Sequence, residues 1–511
     1  MSNWSEGYFT DSTYTFGYYR ELSPNFIRWC LTLRGFAVPE SDENSCHCEL
    51  GFGQGVSANI HAAAIPGKFF GTDFNPAHAA QAQELAKASG ADANFFEDSF
   101  EEFANRDDLP QFDTIGFHGI WSWVSDENRR HMLDVARKHL KSGGAVYCSY
   151  NCLPGWAPAA PLRELLRLHD QSHADGDTDK RVKDALNFIG EMIAAKPAYL
   201  ELAPRFAQIF EGLKKHDAHY IAHEYLNLDW DLMYFTDVAD MFREYKLDFA
   251  ATALPIEALG ESNFSQAARE FLGKITDPLM REQVRDYFVN RQFRKDLFVR
   301  GLRRLPLYET YERILETRYV LLRLAADVPL QLPTALGTLT LSEDLYKPLL
   351  AFLQEDSFRP KTFMEYLRRQ PGTNPKDLVA AATILVDANQ ILPCQSESAV
   401  KRVKKSCERL NAHICERAKF EEAISFLASP LTGMGVALNR FQQLFLSAYK
   451  GNERSADGLA KSVWDILARQ GQRIVLNGEK LEDVDKNLAH LKTLAENFLS
   501  KELPLFKALQ L

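Results

Sequence analysis

In the stretch CHCELGFGQGVSANIHAAA, residues 46–64, a short apolar run meets a glycine-rich turn and then a helix-forming segment. CHCEL reads as a buried strand and Val56–Ala64 as a helix, with Glu49, Gly51, Gly53 and Gly55 alternating through the turn between them. Glycines let such a turn tighten and let a ligand approach the backbone closely. The start of the helix adds free N–H groups and positive dipole character. A dinucleotide fingerprint needs G-x-G-x-x-G. Here the third glycine falls one position early and an acid precedes the first, so the pattern is E-x-G-x-G-x-G. On its own it is also what any tight strand-to-helix turn uses.

Outward from this turn, strand and helix patterns alternate. Lys68–Thr72 is predicted as a second strand, followed by a helix over Pro76–Ser89 that Gly90 closes. Ala93–Phe96, Phe112–Phe117 and Ala145–Tyr150 read as further strands, with a helix over Asn128–Leu140. Strands spaced by helices imply right-handed crossovers and a mainly parallel sheet, with ligands beyond the carboxyl ends of its strands. Residues 156–225 read as a helical insertion over that edge. The helix Thr236–Tyr245 and the strand Leu247–Leu254 are the pair a sixth strand needs. Residues 265–325 read as charged and helical. Residues 326–395 carry the strand GTLTL and three helices in a winged-helix-like order, and 396–511 are mostly amphipathic helix. The expected division is a core over 1–255 with its insert at 156–225, a helical regulatory region over 256–325, a winged-helix-like domain over 326–398 and a helical domain over 399–511.

Bulk properties narrow the class. A chain of 511 residues exceeds a single core, so two to four domains are expected. Lys+Arg number 59 against 69 Asp+Glu, a net −10 that argues against the basic footprint of a nucleic-acid binder. No uncharged apolar run is long enough for a bilayer, and MSNWSEGYFTDS lacks a basic start and an apolar core, so no membrane partner and a cytoplasmic location are expected. The eight cysteines form no C-x-x-C pair and fit reduced thiols. Cys46-His47-Cys48 opens a strand, where neighbours face opposite ways. His219 and His223 share a helical face without H-E-x-x-H or a third ligand. No metal is expected from either.

Two strand ends carry longer strings. FHGIWSWV occupies residues 117–124 and SYNCLPGW residues 149–156; HEYL follows at His223–Leu226, then REQVRDYFVNRQFR from Arg281. Together with the glycine turn, these strings resemble class I S-adenosylmethionine-dependent methyltransferases that carry a methyltransferase regulatory domain, including bacterial protein-lysine methyltransferases of outer-membrane proteins. The resemblance covers about residues 8–320 and the C-terminal third only in layout. Two departures stand out: CHCEL is sparse where the family has a branched apolar run, and FGQG stands where a Cys-x-Asp is commoner.

The resemblance implies an α/β, Rossmann-like methyltransferase sheet with a helical insert, followed by mostly helical regulatory and C-terminal domains. It implies S-adenosyl-L-methionine as cofactor. Glu49 would meet the cofactor's amino group over Gly51, Gly53 and Gly55. Asp73, eighteen residues after Gly55, can accept ribose hydroxyls, with Phe74 and Asn75 beside it. Glu97, Asp98 and Ser99 follow the third strand, where an acid and backbone can meet the adenine amino group. His118 and Gly119 complete the cofactor set. His118, Tyr150 and Asn151 are the polar candidates at the reacting centre. Trp121, Trp123, Tyr150 and Trp156 are expected to line an acceptor channel whose aromatic faces attract a methylammonium product. Tyr14, in an aromatic segment that reads as a flap, is expected over the substrate. The acceptor stays open between a protein lysine, an envelope protein among the possibilities, and a small molecule or glycan; a non-catalytic cofactor-binding scaffold is a third reading. A homodimer is implied by the resemblance alone.

Overall fold

The computed structural model describes residues 16–173, 175–260, 264–476 and 478–511. Tyr14 lies outside them. A seven-stranded sheet organises the first 300 residues: β1 (Cys46–Leu50), β2 (Lys68–Thr72), β3 (Ala93–Phe96), β4 (Phe112–Phe117), β5 (Leu140–Asn151), β6 (Asp248–Thr252) and β7 (Phe293–Val299). Their order is β3-β2-β1-β4-β5-β7-β6. β1 to β5 are parallel, and β7 runs antiparallel to both β5 and β6. This is the Rossmann-like methyltransferase sheet that the resemblance implies.

The polar composition of β1 is resolved by pairing. The strand is central, and His47 is buried between Thr114 Oγ1, 2.8 Å from Nδ1, and Ser41 Oγ, 3.2 Å from Nε2. Burial pushes this imidazole down to about 4, so it stays neutral and hydrogen-bonded beside Cys46 and Cys48.

The stretch FRKDLFV departs from its helical reading. The helix Pro278–Val289 ends at Asn290 in the left-handed conformation (φ 47°), and the chain turns into β7. Both faces of β7 are covered: Leu297 and Val299 join one core, Phe298 the other. Arg294 and Asp296 therefore cannot reach water. Arg294 Nη1 donates to both carboxylate oxygens of Asp286 (2.7 and 2.8 Å), Nη2 to Glu282 (2.8 Å) and Nε to Asp296 (2.8 Å). A strand with buried, mutually paired charges has a surface helix's composition, which is why its pattern misleads.

Five helices flank the first strands: α1 (Pro24–Leu33), α2 (Val56–Ala64), α3 (Pro76–Ser89), α4 (Phe100–Ala104) and α5 (Asp126–His139). Every residue of α2 is buried. Its small side chains let it lie between the sheet and the long helix Glu397–Arg417, whose Ser406 Oγ donates to Ala63 O at 2.6 Å. One apolar core runs from Leu22 to Leu511 and joins α1, α2 and the C-terminal half. The helical segments between Ala160 and Tyr225 enclose a separate small core built on Leu166, Ile189, Phe206 and Phe210. Among the described residues, no helix is long and apolar enough to cross a membrane, and no cluster of three His, Cys, Asp or Glu could hold a metal ion.

Candidate active site

A cavity opens at the carboxyl ends of β1, β2 and β4, where the sheet's strand order reverses. Glu49, Gly51 and Gly53 form its floor, Asp73 and Phe74 one side, Asp98 and Ser99 another, and His118 with Gly119 the far end. Gly51 (φ 66°), Gly53 (φ 56°) and Gly55 (φ 70°) all adopt the left-handed conformation that the turn requires. Gly55 itself sits below the cavity: a Cβ there would meet Ala82 Cβ at 2.5 Å, so this glycine lets α2 and α3 approach.

Asp73 organises the turn. Its Oδ2 accepts the Gly53 N–H at 2.8 Å; its Oδ1 accepts the Asn75 N–H and lies 3.0 Å from His78 Nδ1. Asn75 is not a lining residue; its side chain caps α3 by accepting the Ala77 N–H. Ser99 caps α4 in a reciprocal box with Glu102, and Asp98 Oδ2 takes Arg106 at 2.9 Å. The Thr72 hydroxyl donates to Asp98 O and accepts the Asp98 N–H, which fixes that backbone against β2. Glu97 is exposed and outside the cavity.

Glu49 stands in contrast to these paired acids. Burial, and then the nearby Asp73 carboxylate, push it up to about 8. Among the described residues no side chain donates to it. A carboxyl placed this way is complementary to a ligand ammonium.

His118 is held by a relay of hydroxyls. Gly119 N–H donates to Ser149 Oγ (2.8 Å), Ser149 bonds Tyr147, and the Tyr147 hydroxyl lies 2.7 Å from His118 Nδ1. Tyr19 stacks on the imidazole with ring centroids 3.8 Å apart, and Phe293 meets it edge-on. Burial drives the ring down to about 3 against the pull of Glu21, so it is neutral at any working pH. Tyr147 keeps its proton because burial raises it far above its ordinary value. The neutral ring and the protonated hydroxyl therefore share one short hydrogen bond at Nδ1.

The aromatic candidates separate. Trp123 lines the cavity. Trp121 is fully buried and stacks on Phe117, with Phe242 beside it, away from the cavity. Tyr150 is also buried, donating to Asp296 Oδ2 at 2.7 Å, and Asn151 is tied by its backbone to Ser122. Trp156 lines a second cavity with Tyr220, Tyr225 and Arg205 from the helical insert. Trp230 joins the two: its ring is 6.4 Å from Trp123 and 5.7 Å, perpendicular, from Trp156. Sequence reasoning passed over Trp230, Ser57 and His78, and it placed Tyr19 only within the aromatic flap. Only His78, five residues after Asp73 in the first turn of α3, carries a local signal. Tyr19 and Ser57 meet across 38 positions, the Tyr19 N–H donating to Ser57 Oγ at 2.8 Å.

Comparisons agree with this geometry. The family described as "Methyltransferase domain" matches residues 48–144, and that described as "Predicted methyltransferase regulatory domain" matches residues 217–300. An uncharacterised protein of Synechocystis sp. is 38% identical over 510 residues, 99% of either chain. An uncharacterised protein of Rickettsia prowazekii is 28% identical over 283 residues, 55% of this chain and 50% of that one. Among solved structures, that of PKMT2 from Rickettsia typhi in complex with AdoHcy has a TM-score of 0.69 at 17% identity, covering 97% of this chain and 99% of that chain. At that identity the likeness establishes a shared fold.

Proposed function

The chain belongs to the S-adenosylmethionine-dependent methyltransferases that carry a methyltransferase regulatory domain, and from that premise we propose that it methylates the side-chain amine of a lysine in a protein. It is an enzyme of methyl transfer, and its cofactor is S-adenosylmethionine. The observation that carries the reading is Glu49, half-buried and unpaired among the described residues, beside the left-handed glycine turn. A cationic amino group fits that carboxyl, and the floor at Gly51 has no room for a side chain: a Cβ there would lie 2.8 Å from Ile120 Cδ1. Bound there, the cofactor supplies an electrophilic methyl on a sulfonium and departs as a neutral thioether.

The remaining tasks fall to the protein. Asp73, with Oδ2 committed only to Gly53 N–H, retains acceptor capacity for a ribose hydroxyl. Asp98 and the Ser99 backbone are placed for the adenine edge, with Phe100 and Ile120 as its apolar walls. Tyr19 and Leu22 cover the cavity from the N-terminal side and exclude water. The acceptor amine must be neutral, and its ordinary value near ~10.4 makes desolvation among aromatic walls the main means of discharging it. His118, neutral and held by the Tyr147 hydroxyl and the Tyr19 ring, acts as a fixed polar group near the reacting centre. Trp123 and Trp156 bound the acceptor's path, with Trp230 between them.

The lysine acceptor is supported by the likeness to PKMT2 over nearly the whole of both chains and by the aromatic path into the insert. On this reading residues 1–255 transfer the methyl group and the segments after 256 shape the acceptor cleft. The test is incubation with methyl-labelled cofactor and envelope or whole-lysate fractions, followed by residue analysis. Label recovered as methyl-lysine in protein is expected. Label confined to small molecules or glycans overturns the acceptor but keeps the chemistry. Cofactor binding with no transfer to any fraction overturns both.

A further inference from the structure

A second cleft, of about 290 Å³, lies away from the cofactor cavity, between α1, the helix Leu307–Glu316 and the start of the helix Glu397–Arg417. Three guanidinium groups converge on it: Arg28 from α1, and Arg313 and Arg318 from either end of the turn after Leu307–Glu316. Two have protein partners. Arg313 pairs with Glu309 at 2.8 Å, and Arg318 donates to Gln395 O at 2.7 Å with Glu397 at 3.4 Å. Arg28 has none. Its Nε is wholly buried with no acceptor, and among the described residues no carboxylate lies within ion-pair distance of its guanidinium.

That arrangement is costly as it stands. Burial disfavours the charge on Arg28; Glu40 favours it from beyond ion-pair distance, and the repulsion of Arg313 is the smallest of the three. The two acids lining the cleft do not relieve it: Glu40 Oε1 accepts the Ser396 N–H at 2.7 Å, and Glu316 makes no ion pair with Arg28. A partly buried guanidinium beside two others, with its Nε lacking an acceptor, offers the donors that an oxyanion takes, as Glu49 offers the acceptor that an ammonium takes.

We infer that this cleft binds a small oxyanion, a phosphoryl or carboxylate group held between Arg28, Arg313 and Arg318. The site is distinct from the methyl-transfer cavity but mechanically joined to it. α1 follows directly on Arg20–Leu22, and Tyr19 and Leu22 line the cofactor cavity. An anion drawn onto Arg28 fixes α1 and therefore the strap over the cofactor.

The test titrates the full-length protein with inorganic pyrophosphate and, separately, citrate, reading the unfolding midpoint and direct binding. A saturable rise with either anion is expected, and the one that acts identifies the phosphoryl or carboxylate class. In Arg28→Met the affinity should fall at least tenfold, and the ligand-free protein should be as stable as the parent or more so, because a buried N–H without an acceptor has gone. Arg313→Gln, half-exposed and safe for folding, should weaken binding severalfold. Binding of S-adenosylhomocysteine should survive in both. No saturable effect of either anion, or equal anion affinity in Arg28→Met and parent, overturns the inference. So does a large loss of ligand-free stability in Arg28→Met, which would make Arg28 a structural residue.

Discussion

The cofactor cavity and the charged knot behind β5 and β7 both bury carboxyl groups, and they treat them in opposite ways. In the knot, Arg285, Arg291 and Arg294 meet Glu257, Glu282, Asp286 and Asp296, and Tyr150 adds a hydroxyl to Asp296. Each acid there has a cation: Arg294 and Arg285 hold Glu282 near 2 against its burial, while burial still keeps Asp286 at about 6 and Asp296 above its ordinary value despite Arg294. In the cavity, Glu49 faces another acid and no cation, and it rises to about 8. A compensated buried charge is architecture, because its counter-charge is supplied within the fold. An uncompensated one has kept its interaction free for something else. The same distinction separates Arg294 from Arg28.

The largest test of that contrast is Arg294→Met. It removes the cation shared by three buried carboxyls and should destabilise the protein by about 3–5 kcal/mol, enough to unfold it near physiological temperature. Chemical denaturation measures this, and a loss under about 1 kcal/mol would mean that the knot is not compensating its acids. Next in size is Gly51→Ala. The added methyl enters a left-handed residue 2.8 Å from Ile120 Cδ1, so binding of S-adenosylhomocysteine should weaken about a hundredfold while the unfolding midpoint drops by only a few degrees. Calorimetric titration reads the first quantity and thermal unfolding the second. Trp230→Ala should then leave cofactor affinity unchanged and raise the KM for the acceptor about tenfold, since its ring bridges Trp123 and Trp156 without lining the cofactor cavity. An equal loss of cofactor affinity would show that the two cavities are a single unit.

The cavity was legible in the sequence because its parts are local. A glycine turn, an acid at the end of the next strand and an acid–serine pair after the third each follow a strand pattern, and the parallel sheet carries all three to one edge. The knot was not legible, because FRKDLFV looks solvent-facing until Glu282 and Asp286, eight to twelve residues upstream, are seen to fold back on Arg294. Trp121 misled for a related reason: it shares its string with Trp123, but the short helical turn Trp121–Trp123 sends one ring into the core and the other to the cavity. The strap over the cavity is held across the whole chain, Arg20 reaching Val386 O at 2.7 Å and Gly435 N–H donating to the Tyr18 hydroxyl, and no local pattern encodes such a pairing.

Glu49→Gln gives the smallest effect and the sharpest discrimination. The folded carboxyl titrates near 8 against 4.5 for its ordinary value, so the folded state holds the proton more tightly. Its contribution to stability is complete below about 4.5 and is lost as pH rises toward 8. In the ligand-free protein, Glu49→Gln should therefore leave the unfolding midpoint unchanged at pH 4.5 and raise it by about 3 °C at pH 8. Cofactor binding should respond in the other direction. A bound ammonium favours the carboxylate, so in the parent affinity rises with pH up to about 8 as the proton is released, and in Glu49→Gln that rise is absent and affinity is roughly tenfold lower at pH 8. A substitution that stabilises the protein alone while weakening its complex identifies a carboxyl kept for a ligand. If the midpoint instead falls at pH 8, Glu49 has a partner within the fold, and it belongs with Asp296 rather than apart from it.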